Sequence, residues 1–246
     1  MNKIGRLLAI FAHPDDESYR CGGALSLLAR RGSQVWVLCA TRGEQGIQNL
    51  DPEETGQVRQ AEMECACRVL GIEKPRFLDN QDGTLHEVDE ECAVGKVVQT
   101  IRKLRPHALL TWPPSGVSGH PDHVAVSNWT DKAFQLAADP LAYLEHKEAP
   151  HAVDALYHIV MPRSLAENLK MAHLHTVHDE EVTHTVDVSA VWDEKMAAIL
   201  CHNSQKANSP ILDAPEKQQR LFLGTEYFQQ IKVQTKNRTI SIRDNK

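Results

Sequence analysis

The stretch Leu7-Leu8-Ala9-Ile10-Phe11-Ala12-His13-Pro14-Asp15-Asp16-Glu17 joins a short apolar run to one imidazole and three carboxylates. An apolar run of this length reads as a strand buried on both faces, as in the interior of a parallel sheet. The residues after it are the opposite of core material. Charged groups crowded at the exit of a buried strand are costly unless something uses them, and a cation does so most directly. A second cluster, His120-Pro121-Asp122-His123, repeats the chemistry much later in the chain and can complete the same site.

Working outward, apolar and β-branched runs alternate with longer segments of helical period, the pattern of βαβ units. Strands are expected over Leu7–Ala12, Gln34–Ala40, Pro75–Leu78 and Ala108–Thr111, and helices over Gly22–Arg31, Glu54–Leu70 and Glu90–Leu104. Gly71 suits a helix C-cap and Pro106 a helix stop. The second half predicts helices near His123–Ala138, Ala190–His202 and Pro215–Gly224, with strands near Ala155–Met161 and Val182–Val188. Asp139–Pro150 reads as an exposed connection. The expectation is a single α/β domain over residues 1–232, a Rossmann-like and mostly parallel sheet with helices on both faces, followed by a polar tail over 233–246.

In open parallel sheets, sites form beyond the carboxyl ends of the strands, where strand order reverses. His13 to Glu17 follows the first expected strand, Thr41-Arg42-Gly43-Glu44 the second, Asp79 to Gly83 the third and Trp112 to His123 the fourth. All four point polar residues at one rim.

Composition narrows the partners. The 246 residues are 41% hydrophobic and 24% charged, ordinary for a globular chain, and a net charge of -6 with scattered Lys and Arg offers no field for nucleic acid. The six cysteines form no C-x-x-C pair, and a core of this size needs no disulfide framework, which fits a reducing cytoplasm. No run reaches membrane-spanning length.

Zinc takes nitrogen and oxygen ligands, and a catalytic zinc commonly has three from the protein and one position open to water. His13, Asp16 and His123 make such a set. Asp15 then faces the water as a general base, His120 is the second donor for an oxyanion, and Asp122 holds an imidazole as a supporting partner. The plain alternatives are that Asp15, Asp16 and Ser18 cap a helix starting near Cys21, and that an H-x-x-H pair is a solvated helix face. Taken together, the two clusters favour the metal. Gly22-Gly23 is no G-x-G-x-x-G fingerprint, which speaks against a nucleotide-binding module.

These residues resemble the LmbE-like, PIG-L-type N-acetylglucosaminyl deacetylases. The resemblance rests on A-H-P-D-D-E at Ala12 to Glu17 and G-H-P-D-H at Gly119 to His123. T-R-G-E at Thr41 to Glu44, Arg59 with Glu62, R-V-L-G at Arg68 to Gly71, Asp82-Gly83 and H-N-S-Q at His202 to Gln205 support it. It implies a Rossmann-like fold and the metal-dependent removal of acetyl from an N-acetylated amino sugar. Ligands would be His13, Asp16 and His123, with Asp15 as base and His120 as electrostatic catalyst or general acid oriented by Asp122. Arg59, Asp82 and His202 would lie against substrate, set against a solvated helix face, an Asp-Gly turn and a helix-end histidine as the plain readings. Zinc is the expected metal, although iron, cobalt and manganese tolerate the same ligands. The family also implies a homo-oligomer, and a related amidase acting on a larger amide, such as a thiol conjugate, is the alternative reaction. His86, His107, His146, His151, His158, His173, His175, His178 and His184 are expected to have no role in the site. Glu17 is assigned no task. Val117-Ser118 and Gly224-Thr225-Glu226-Tyr227-Phe228 depart from the family pattern and leave the sugar's partner open.

Overall fold

Strand β1 (Arg6–Phe11) runs through the middle of the computed structural model, which describes residues 4–233. The chain continues through α1 (Asp16–Arg30), β2 (Gln34–Cys39), α2 (Pro52–Leu70), β3 (Arg76–Phe77), α3 (Glu90–Leu104), β4 (Ala108–Thr111), α4 (Pro121–Leu136) and β5 (Ala155–Ile159). Then come α5 (Arg163–Asn168), β6 (His184–Asp187), α6 (Trp192–Cys201), α7 (Glu216–Leu223) and β7 (Thr225–Val233). The strands form one sheet in the order β3-β2-β1-β4-β5-β7-β6. The first five are parallel, with Leu8 opposite Trp36 on one side and Leu109 on the other. β7 is antiparallel to both β5 and β6.

The apolar run of β1 is buried on both faces because helices cover both. Leu8 and Ile10 meet α3 and α4 through Val97, Ile101, Val126 and Trp129. Leu7, Ala9 and Phe11 meet α1 and α2 through Cys21, Leu25, Met63 and Cys67. Fully burying each of these Leu and Ile side chains stabilises the fold by roughly 1.5–3 kcal/mol. The reversal of strand order falls between β1 and β4, so the loops leaving those two strands share one crevice.

Local signals hold at the helix ends. Asp51 caps α2 through its side chain, Gly71 closes it in the left-handed region at φ 71°, and Asp89 caps α3. α1 begins at Asp16 rather than near Gly22. Asp16 and Ser18 therefore lie within the helix, and Asp15, at the cap position, makes no side-chain capping bond.

The expectations missed α5 and the whole of β7. The apolar content of β7 is thin, and its buried face carries Glu226 as well as Phe228. Lys195 of α6, also buried, donates to Glu226 and to the Leu223 carbonyl at 2.7 Å each. Glu226 in turn accepts the Gly23 and Ala24 N–H groups of α1 at 2.8 and 2.7 Å. Gly23 makes this approach workable, since a Cβ there would stand 2.2 Å from Val188 Cγ1. A strand can thus be interior to the sheet while reading as polar.

Cys65 of α2 is bonded to Cys201 at the end of α6. A disulfide is thus present although a core of this size needs no disulfide framework, which removes one ground for a reducing compartment. Among the described residues no helix is long and apolar enough to cross a membrane. Apart from Val233, the tail expected over 233–246 lies outside the described residues.

Candidate metal centre and its surroundings

His13, Asp16 and His123 offer three ligand atoms that all lie within 4.8 Å of one another. The turn after β1 supplies the first, the opening turn of α1 the second and the opening turn of α4 the third. Each donor atom is selected by what its other atoms do. Asp16 Oδ2 accepts the N–H groups of Ala12 and His13 at 3.1 and 3.0 Å and the Trp112 indole N–H at 3.4 Å. Its Oδ1 is left facing His123 Nε2 at 3.4 Å.

The imidazoles are oriented in the same way. His123 Nδ1 donates to the Gly116 carbonyl at 3.2 Å, which leaves the Nε2 lone pair directed at Asp16. The indole of Trp112 stacks on the His123 ring, with centroids 4.4 Å apart and planes within 5°. His13 Nε2 sits 3.1 Å from a carboxylate oxygen of Asp122 and 3.1 Å from one of Asp82. Carboxylates only accept, so Nε2 carries a hydrogen, and Nδ1, 4.0 Å from Asp16 Oδ2, is the ring atom that faces the other two donors.

The charge balance of the crevice suits a cation. Burial disfavours a charged His13, but hydrogen bonds to Asp122 and Asp82 with the charge of Asp16 overcome this and push it up to about 10. His123 is raised against the effect of burial by Asp16. Burial alone would raise Asp16, yet His123 and His13 hold it well below the usual carboxylate range. Positive charge is therefore favoured where the three donor atoms converge. Two imidazole nitrogens and one carboxylate oxygen fit zinc and the divalent metals that share its ligands.

Asp122 differs from its expected orientation. Its fully buried carboxylate receives the backbone N–H groups of Gly83 and Leu85 at 2.8 and 3.0 Å and His13 Nε2. The carboxylate thus supports His13, while the Asp122 backbone N–H donates to His120 Nδ1 at 3.2 Å. With Nδ1 accepting, neutral His120 carries its hydrogen on Nε2. Burial and the neighbouring His13 and His123 lower the pKa of His120, which favours that neutral donor. Its ring is exposed, with its centroid 4.9 Å from that of His13.

Asp15 immediately precedes Asp16 in the chain, with a side chain one quarter exposed. Its backbone is left-handed at φ 108°, a region that ordinarily costs a residue other than Gly about 1–3 kcal/mol. Burial pushes its carboxyl up to about 6, with Arg59 pulling the other way. Arg59 is itself buried and donates to Asp15 Oδ2 at 3.2 Å, to the Pro14 carbonyl and to the Gly43 carbonyl at 3.1 Å. Gly43 is needed for this clamp, as a Cβ there would meet Arg59 Nη1 at 2.1 Å. Arg59 is therefore no solvated helix face. Asp82 is more than a turn residue, since it accepts the Gln45 N–H at 3.1 Å while meeting His13.

His202 is buried, and its Nε2 donates to Glu17 at 2.8 Å. Among the described residues, the groups able to hold a metal are His13/Asp16/His123 and His13/His120/Asp122, with none of His173, His175 and His178 included.

Residues 8–134, just over half the chain, match the family model described as PIG-L, GlcNAc-PI de-N-acetylase. A 1D-myo-inositol 2-acetamido-2-deoxy-alpha-D-glucopyranoside deacetylase of Rhodococcus erythropolis is 32% identical over 244 residues, covering 83% of this chain and 82% of its own. The chain belongs to the PIG-L family. Among solved structures, the N,N'-diacetylchitobiose deacetylase of Pyrococcus horikoshii superposes with a TM-score of 0.74 at 21% identity, covering 93% of this chain and 84% of that one. A 4-carboxy-2-hydroxymuconate hydratase of Pseudomonas putida superposes with a TM-score of 0.69 at 17% identity, covering 94% and 98%. These likenesses establish the fold. As the scaffold also serves a hydratase, the reaction of a PIG-L member has to be argued from its site.

Sequence reasoning overlooked two contributors to this PIG-L site. Trp112 touches both Asp16 and His123, and the only sign of it was its place just after β4. The 82–85 backbone holds Asp122 through N–H groups that no residue pattern announces.

Proposed function

We propose that the protein is a zinc-dependent deacetylase that hydrolyses the acetamide of a 2-acetamido-2-deoxy-glucoside to acetate and the free amine. The observation that carries this is the convergence of His13, Asp16 and His123. Kinship with deacetylases of an inositol-linked N-acetylglucosamine supports the substrate class. His13 Nδ1, Asp16 Oδ1 and His123 Nε2 would hold the zinc, which acidifies a water and polarises the amide carbonyl when bound.

Asp15 accepts a proton as the water oxygen bonds to the acetyl carbon. The carbonyl oxygen gains negative charge as the tetrahedral adduct forms, and His120 would donate to it through Nε2–H, its Nδ1 being taken by the Asp122 N–H. Collapse of the adduct breaks the C–N bond, and the proton held by Asp15 passes to the leaving nitrogen, giving amine and acetate. Arg59 keeps the Asp15 carboxylate in place. Asp82 and Asp122 fix the His13 ring.

The test is release of amine and acetate by zinc-loaded protein from a panel of N-acetylglucosamine conjugates, with Asp15→Asn and His123→Ala alongside. Turnover by the parent, loss of at least a hundredfold in Asp15→Asn with zinc retained, and loss of zinc in His123→Ala are expected. Full activity of Asp15→Asn, or an unchanged zinc content in His123→Ala, would overturn the assignment. Cleavage of larger amides only would replace the acetyl specificity with that of an amidase.

A further inference from the structure

Two buried titratable groups, Glu17 and His202, take no part in the chemistry above. Both side chains are fully buried, and they are 185 residues apart in sequence. His202 Nε2 donates to Glu17 Oε1 at 2.8 Å, and the Ser18 hydroxyl donates to the same oxygen. The other oxygen, Oε2, accepts the backbone N–H of Asp15 at 3.1 Å. A carboxylate in the first turn of α1 thus reaches back to the residue that carries the base.

The consequence lies in the backbone of Asp15. At φ 108° and ψ -27° it occupies a conformation that needs support from its surroundings. Arg59 grips the Asp15 side chain and the carbonyl before it, and Glu17 grips its N–H. With Oε1 fixed by His202 and Ser18, the plane of the carboxylate is set and Oε2 stays directed at that N–H. His202 is anchored in turn by tertiary structure. Cys201 before it is bonded to Cys65, Ser204 after it donates to Glu62 through both its N–H and its hydroxyl, and Gln205 donates to the Gly46 carbonyl at 3.0 Å.

We propose that Glu17 and His202 are a positioning pair: they hold the main chain at Asp15 in its left-handed conformation, and with it the carboxylate that Arg59 grips, without touching metal or substrate. This rests on Asp15 being the general base. The buried histidine of the H-N-S-Q segment then acts on Asp15 from a distance, in place of the substrate contact expected from the sequence.

A double-mutant cycle tests the pair, with kcat, KM, bound zinc and hydrogen exchange at the Asp15 amide measured for each protein. Glu17→Gln is expected to lower kcat at least tenfold, with KM within twofold and one zinc per chain, and to speed exchange of the Asp15 amide. Combined with Asp15→Asn it should cost less than twofold more, because a residue that acts only through the base has nothing left to position. His202→Leu should behave as Glu17→Gln. His202→Gln keeps an N–H donor and should be at least fivefold faster than His202→Leu, which serves as the control if Glu17→Gln does not fold. The inference is overturned if Glu17→Gln slows Asp15→Asn by the same factor as the parent, or if His202→Gln is as slow as His202→Leu. Full activity of Asp15→Asn overturns the base and the pair together, whereas a slow Asp15→Asn beside a fast Glu17→Gln refutes the pair alone.

Discussion

At the scale of single residues, the site is a set of atoms each committed by its partners. As the proposed general base Asp15 would work ionised, so activity should fall as the pH drops through its pKa. Burial raises that pKa to about 6 and Arg59 opposes the rise. A bound cation adds positive charge and moves the acid limb of kcat/KM below this value, while Arg59→Gln removes a positive charge and moves the limb to higher pH. Profiles of the zinc-loaded parent and variant decide this, and an unmoved or lowered limb in Arg59→Gln would contradict it. Trp112→Phe keeps the stacking on His123 but deletes the N–H to Asp16, so zinc affinity should weaken by about tenfold. Competition with a chelating dye measures this. The convergence of His13, Asp16 and His123 was readable because metals limit the choice of donor. The true partner of Asp122 was not, since only folding shows which of the neighbouring imidazoles its carboxylate meets.

At the scale of elements, β1 and α4 bring the two halves of the centre together, and β7 holds α1 in register. Lys195 and Glu226 are both buried where α6, β7 and α1 meet. Glu226→Ala leaves the buried Lys195 ammonium without its counter-charge, with the Leu223 carbonyl still accepting from it, and should destabilise the fold by about 3–5 kcal/mol. Urea unfolding of parent and variant checks the figure, and a loss below about 1 kcal/mol would show that the junction relaxes. β1 was legible because a continuous apolar run can only be a doubly covered strand or a buried helix, and its shortness favours the strand. β7 was illegible because its buried face includes a carboxylate whose counter-ion comes from another element. The burial of Arg59 was hidden for the same reason, since both the substrate contact and the solvated helix face read from the sequence leave out the distant loop carbonyls it binds.

At the scale of the whole molecule, the candidate metal centre and the disulfide each join segments distant in sequence. The three proposed ligands come together only when β1 and α4 are assembled, so zinc should stabilise the native state by about 2.7 kcal/mol at a hundredfold excess over Kd. Thermal unfolding with and without chelator should show this shift in the parent and lose it in His123→Ala. The Cys65–Cys201 bond closes a separation of 136 residues, and chain-entropy reasoning gives it up to about 5 kcal/mol. Reductant should lower the unfolding midpoint of the parent and leave that of Cys65→Ser unchanged.

The sequence by itself determined the parallel half of the sheet, the helices that cover it, the side chains that converge in the candidate metal centre and the family. These follow from periodicity and from donor chemistry, both of which are written locally. Only the tertiary structure decided that Asp122 serves His13, that Arg59 and His202 are buried around Asp15, and that a polar segment forms β7. Each of those outcomes depends on a partner far along the chain, and no local pattern of residues names a partner.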